Sequence, residues 1–495
     1  MNKNYWNYLL KNNRNSLIFI GIADLLLMAA ILFSYYDTHF TMTQVRAALI
    51  SVSVMSGILT FTLPVRLFRH VHDKKAVDTF FQLNVSREDM LHTTLAFIAL
   101  AVIMPFVLSC GILMIYSLIH YGGLGINYPL FMGMVIPSFI GLILFHSWIF
   151  LLANSTFDGI VMIGAYTFLP LLLLMVLNAV IDAVIYAYYP SLDWVGYLSL
   201  TFTTVTQGIN ILTRDVFHVD SSIPLWLICI AAHAVIGYLG LRKEYVNRKL
   251  ERAETLSNHP LAYPLIMNLY ALALILVSST AFHGTVKSLS PVVIQYVFIF
   301  ILYIIANFVY KRKIQVTKES VIFFVAAILI SLLFTGAAYK TRGFHLSEKF
   351  NRHPDAVSAS LYGDYHGSVD ARLREILDQK GYDWSSLSVF VDYNDKVKKS
   401  EDYEGFLNVL NELRLGSIDE YYTKKDAREY SGYLHITEED KGKRTEKNYT
   451  YNIAPATLVD YDLLLRINEY ADVNLQMYNV KDMTYETVSL DSLLK

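Results

Sequence analysis

Cysteine is almost missing from this chain: its 495 residues hold two, Cys110 and Cys229, and both fall inside apolar runs. No disulfide framework is open to any exposed part, which must fold by packing alone. An exported segment without cysteine fits a bacterial surface that does not rely on disulfides. Charge is thin as well. Residues 1–339 carry 20 Lys and Arg against 15 Asp and Glu, gathered into short clusters. With a formal net charge of −2 overall, the chain lacks the excess of basic residues that nucleic acid demands, and no nucleic-acid partner is expected. G-x-x-x-x-G-K-[ST] is also absent, so any nucleotide hydrolysis of that type belongs to another polypeptide. No A-x-A-like site closes the first apolar run, 16–36, and its 21 residues exceed a signal-peptide core. It reads as a retained span.

Apolar residues fill the space that charge leaves, at 54% of the chain. About 20 of them in a row cross a hydrocarbon core about 30 Å thick. Nine such runs precede residue 340, near 16–36, 47–65, 93–117, 129–153, 159–189, 223–241, 261–283, 291–310 and 320–339. A polytopic α-helical membrane protein follows, multi-pass in the cell membrane. Basic loops stay cytoplasmic. With the N-terminus inside, the inner segments hold 17 Lys and Arg and the short outer loops hold 3, Arg46, Arg214 and Lys287. Nine crossings then put residues 340–495 outside. That segment has no apolar run of membrane length and carries 21 basic against 28 acidic residues. Its strand-like stretches (356–363, 386–393, 432–437, 448–453, 475–480) alternate with helical ones (369–381, 403–414, 457–471), which predicts an extracellular α/β or α+β domain.

Between the second and third runs lies "RHVHDKKAVDTFFQLNVSREDM", residues 69–90. Ala76, Val77, Phe80, Phe81 and Leu83 recur at helical spacing among Lys74, Lys75 and Asp78, predicting a short amphipathic helix over 70–84. Asn84 and Val85 end it, and Ser86 with Asp89 three residues on forms a capping-box variant that starts the next helix. Tyr5, Trp6, Leu9 and Leu10 opposite Lys11 and Arg14 predict an interfacial helix within 1–15. Residues 193–212 are apolar but rich in Thr and Gly, as in a segment that dips into the membrane without crossing. Residues 241–254 read as one basic helix.

This layout over residues 1–255 resembles the transmembrane subunit of ABC-2-type ABC transporters, in particular through His72, Lys74, Lys75, Asp78, Leu83, Ser86 and Arg87. Many permeases of that family have Leu-Pro before the Ser-Arg pair, where this chain has Leu83-Asn84-Val85. The resemblance implies a six-span permease core over 16–255, with 70–84 as a coupling helix seated in a separate ABC ATPase. That partner would bind the ATP and Mg, and this chain would hold no cofactor and have no enzymatic activity. Lys74, Lys75 and Arg87 would supply charge at the seat, and Phe80 and Phe81 apolar anchors. A second permease subunit, identical or related, would complete the path. Residues 256–339 add three spans, and some Gram-positive members carry comparable outer domains, which would meet a substrate or envelope ligand.

Inside the spans, Asp24 and His146 are candidates for lining a cavity, because ionisable groups at membrane depth are costly. Asp182 lies about 35 Å along its run, at headgroup level. His70 and His72 have no Cys or carboxylate support for a metal and read as surface residues. In the outer segment, "DYNDKVKKSED" (392–402) puts Lys396 and Val397 where a calcium loop needs a ligand and Gly. Two other classes of function compete. A polytopic glycosyltransferase-like enzyme needs acidic residues in large outer loops, whereas "DTHFTMTQ" offers Asp37 alone. A membrane-anchored extracellular sensor leaves nine spans with little to do.

Overall fold

The structure, a computed structural model, describes residues 2–33, 42–122, 127–185, 197–213, 223–257, 259–284, 290–311, 317–346, 356–365, 370–394, 405, 408–415, 418, 432–440, 445–453, 461–469 and 473–495. Up to residue 340 these form α1 (Lys3–Phe33), α2 (Met42–Phe68), a 3-10 turn (Arg69–His72), α3 (Lys74–Phe81), α4 (Arg87–Tyr121), α5 (Tyr128–Leu152) and α6 (Thr156–Val184). After these come α7 (Leu200–Thr213), α8 (Ile223–Val246), a 3-10 turn (Leu250–Arg252), α9 (Tyr263–Gly284), α10 (Ser290–Lys311) and α11 (Lys318–Lys340). Among the described residues, nine helices are long and apolar enough to cross a membrane, and they coincide with the nine runs. The helix α7, at 14 residues, is about 21 Å long and too short to cross.

Two compact units divide the chain. The first holds residues 1–175, 192–273 and 299–321. At its centre stands α5, which has no Lys, Arg, Asp or Glu and packs on α2, α4, α7 and α8. The α5–α8 crossing is close because it is built on glycine. A Cβ at Gly237 would lie 2.7 Å from the Phe145 nitrogen, and one at Gly240 would run into the Trp148 indole. Proline interrupts α2 (Pro64), α4 (Pro105), α5 (Pro137) and α6 (Pro170). Each removes the helical donor for the carbonyl four residues earlier, which leaves that carbonyl open to another donor. Gly122, at φ +66°, closes α4 in the left-handed conformation that glycine adopts freely.

The second unit holds residues 176–191, 274–298 and 322–495. Its six strands are β1 (Ala356–Tyr365), β2 (Tyr382–Asn394), β3 (Gly432–Asp440), β4 (Thr445–Ile453), β5 (Val473–Asn479) and β6 (Thr484–Ser489), in one antiparallel sheet of order β4-β3-β1-β2-β5-β6. Alternate residues Leu387, Val389 and Val391 of β2 and Val473, Leu475 and Met477 of β5 share one buried face. Leu373 and Leu377 from helix Ala371–Lys380, Leu413 from 408–415, and Leu464 and Ile467 from helix Tyr461–Asn468 close over it. The result is an α+β layer with its own core.

Three expectations change. Residues 5–14 are not a separate interfacial helix but the opening turns of α1, where buried Tyr5 and Leu9 and the Trp6 ring, 5.6 Å from Phe97, hold them to the helix bundle. The basic helix expected over 241–254 ends at Val246. His70 and His72 are buried instead of lying on the surface. Residues 193–196, 395–402 and 34–41, on which parts of the dipping segment, the calcium-loop test and the "DTHFTMTQ" loop fall, lie outside the described residues.

Candidate functional site

The stretch over 69–90 folds as a sharp corner between two spanning helices. Asp73 caps α3 by accepting from the Lys75 and Ala76 amides at 2.9 and 3.2 Å. Ser86 caps α4 by accepting from the Asp89 amide at 3.0 Å, while its hydroxyl donates to the Asp89 carboxylate at 2.8 Å. Between the caps, α3 turns Val77 inward and leaves Lys74, Lys75, Asp78 and Leu83 exposed. Phe80 stacks on His70 at 4.4 Å and meets Tyr8 of α1 edge-on. Phe81 meets Tyr245 of α8 edge-on, and the Arg87 guanidinium sits 4.2 Å above its ring.

Two arginines clamp this corner to the ends of other helices. The last carbonyls of a helix have no partner within it, and a cation there also answers the helix dipole. Arg87 donates to the carbonyls of Val246 and Arg248, closing α8 at 3.0 and 2.9 Å. Arg248, itself buried, donates to Leu151 and Ala153 at the end of α5 and to the Asn154 side chain. This is why the basic stretch breaks after Val246: the chain turns so that Arg248 can reach α5. Burial, and after it the neighbouring Arg252, lowers the Arg248 guanidinium to about 10, so it stays charged at neutral pH. Asn154 then donates to Thr255 and Leu256, and the Ser257 hydroxyl to Leu152, which ties the following segment to the same point. An exposed pair, Arg242 with Glu88 at 2.6 Å, adds little by itself. The ends of α2, α4, α5 and α8 are thus joined through α3 and its neighbours.

Two cavities lie elsewhere in the same unit. One, of about 340 Å³, is bounded by α2, α5, α6 and α7 and lined by Phe61, His146, Thr167, Thr204 and Gly208 among others. His146 is buried, and its Nδ1 lies 3.2 Å from the Thr60 carbonyl. That carbonyl is the one Pro64 leaves without its helical donor. The bond requires the tautomer protonated at Nδ1, so His146 repairs the α2 ladder at the wall of the cavity. The other cavity, of about 550 Å³, runs between α1 and α4 and includes Asp24.

The residues singled out in the sequence therefore separate into groups. Lys74, Lys75, Asp78 and Leu83 form one exposed face. Phe80, Phe81, Ser86 and Arg87 are engaged within the chain. Asp24 and His146 face different cavities, and Asp182 is exposed on α6. Sequence reasoning missed Arg248 as a clamp and Gly237 and Gly240 as contact points. The spacing Ala234, Gly237, Gly240 was the available signal for the glycines. Comparison with family models, with curated proteins and with solved structures finds no match.

Proposed function

We propose that this protein is the permease subunit of an ABC-2-type ABC transporter, in which a separate ATPase seats on α3 and drives the spanning helices. The observation that carries this reading is the corner: a short helix with an exposed charged face, fastened by Arg87 and Arg248 to the ends of α5 and α8. Displacement of α3 would pass through Phe81 and Arg87 to the end of α8, and from there through Arg248 to the end of α5. Alternating access of this kind needs stiff linkage at the input and separable packing further in. The exposed residues suit docking, since Lys74, Lys75 and Asp78 offer charge complementarity and Leu83 a small apolar contact. In this reading α3 is cytoplasmic and the sheet domain lies outside the cell, in line with the charge bias of the loops.

The internal engagement of Phe80 and Phe81 makes them poor probes of docking, because their removal would also loosen the corner. Lys74→Glu with Lys75→Glu is the cleaner change. Purified mildly from native membranes, the wild-type chain should bring an ATP-hydrolysing partner, with a native mass fitting two permease and two ATPase subunits. The double variant should lose that activity, with the difference from wild type largest at low salt, while its own thermal transition stays in place. A chain recovered without any ATPase activity overturns the reading, and equal recovery with the double variant removes α3 as the seat.

A further inference from the structure

The groove between α1 and α4 holds an acid with nothing to balance it. Asp24 is 1% exposed, and among the described residues neither carboxylate oxygen has a hydrogen-bond partner. The groove that it lines, about 550 Å³, falls in the size range of small-molecule sites. Its walls are largely apolar, as in Leu17, Phe97, Met104, Leu108 and Ile112, and among the described lining residues the Ser109 hydroxyl and the Trp6 indole are the other polar groups. Among the described residues, no basic side chain lines it. Ala101 and Pro105 both border it, and because proline has no amide hydrogen, the Ala101 carbonyl lacks its helical donor. The groove thus combines acceptors with hydrocarbon.

An ionised carboxylate at membrane depth is expensive unless a cation pairs with it, and such residues mark ligand pathways more often than packing. Trp6 and Asp24 are 18 residues apart on one continuous helix, about 27 Å, so the groove is elongated along α1. We infer that this groove binds an amphipathic amine, its protonated nitrogen on Asp24 and its apolar body along α1 and α4. A protonated amine brings the positive charge that Asp24 has no described partner for, and a slender hydrocarbon chain matches the walls. The assignment stands on the groove and its acid alone, whatever partner the corner takes.

The test uses the full-length protein in nanodiscs of phosphatidylcholine, with no ATPase present, so its result is separate from the transporter reading. Radiolabelled dodecylamine is the probe, and dodecanol is the neutral competitor. Saturable binding is expected, at least tenfold weaker in Asp24→Asn, largely retained in Asp24→Glu, and displaced by unlabelled amine far better than by dodecanol. Asp24→Asn changes one atom type and is checked by its thermal transition. If that variant fails to fold, the competition on wild-type protein decides. Equal binding by Asp24→Asn, or equal competition by the alcohol, means that the groove takes hydrocarbon indifferently and overturns the inference, as does the absence of saturable amine binding.

Discussion

A guanidinium carries five donors in a rigid plane, and Arg248 turns them toward acceptors that α5 cannot use internally. Removing it strands the Leu151 and Ala153 carbonyls in a buried place, at about 1–3 kcal/mol for each unsatisfied group. Arg248→Ala should therefore be strongly destabilising, with a lowered thermal transition of the purified protein in detergent. Arg248→Lys should recover only part of the loss, because an ammonium cannot span the same fork. An unchanged transition in Arg248→Ala would show that water satisfies those carbonyls and that the clamp is dispensable. In the sequence, Arg248 is one of several basic residues in a loop. Its role depends on carbonyls nearly a hundred positions away, which no local pattern reports. Ser86 is the opposite case. Its cap on α4 is a matter of three residues, and the S-x-x-D spacing announces it.

At the scale of elements, reading by length and hydropathy works where membrane physics leaves no alternative. A backbone crossing hydrocarbon must satisfy its own hydrogen bonds, so an apolar run of the right length becomes a helix. All nine runs did so, and five of the six described strands were visible from alternation. The sixth, Thr484–Ser489, escaped because its residues are mostly polar and half-exposed, and edge pairing with β5 defines it more than its pattern does. Helix ends were less readable, since α8 stops where a distant helix needs its arginine. The same logic couples α2 to α5. Pro64 takes a donor from Thr60, and His146 supplies one. His146→Ala should cost about 1–3 kcal/mol in the wild-type background. With Pro64→Ala the helix regains an amide at that position and the histidine loses its acceptor, so the second substitution should cost markedly less. A double-mutant cycle on thermal or chemical unfolding reads this coupling, and additive effects would mean that the two residues act independently.

The whole molecule combines a helical bundle with an α+β layer, and a count of crossings bears on where the loops fall. The second unit contains the C-terminal end of α6, the C-terminal end of α9, the N-terminal end of α10 and α11 from Ile322 onward, together with the sheet. If each of the nine long helices crosses once, these three ends and everything after α11 fall on one side of the membrane, and the α2–α3–α4 corner falls on the other. On the topology we propose, the charge bias of the loops, 17 against 3, would make the sheet's side the outer one. Thiol labelling tests both steps, because the native cysteines Cys110 and Cys229 are buried and leave little background. Met483 is 76% exposed in the turn between β5 and β6, and Lys74 is exposed on α3. On intact cells a membrane-impermeant maleimide should label Met483→Cys readily and leave Lys74→Cys unlabelled until lysis. Labelling of both positions on intact cells would break the parity and mean that one of the nine helices does not cross. The reverse pattern would keep the parity but invert the protein, moving α3 out of reach of any cytoplasmic ATPase.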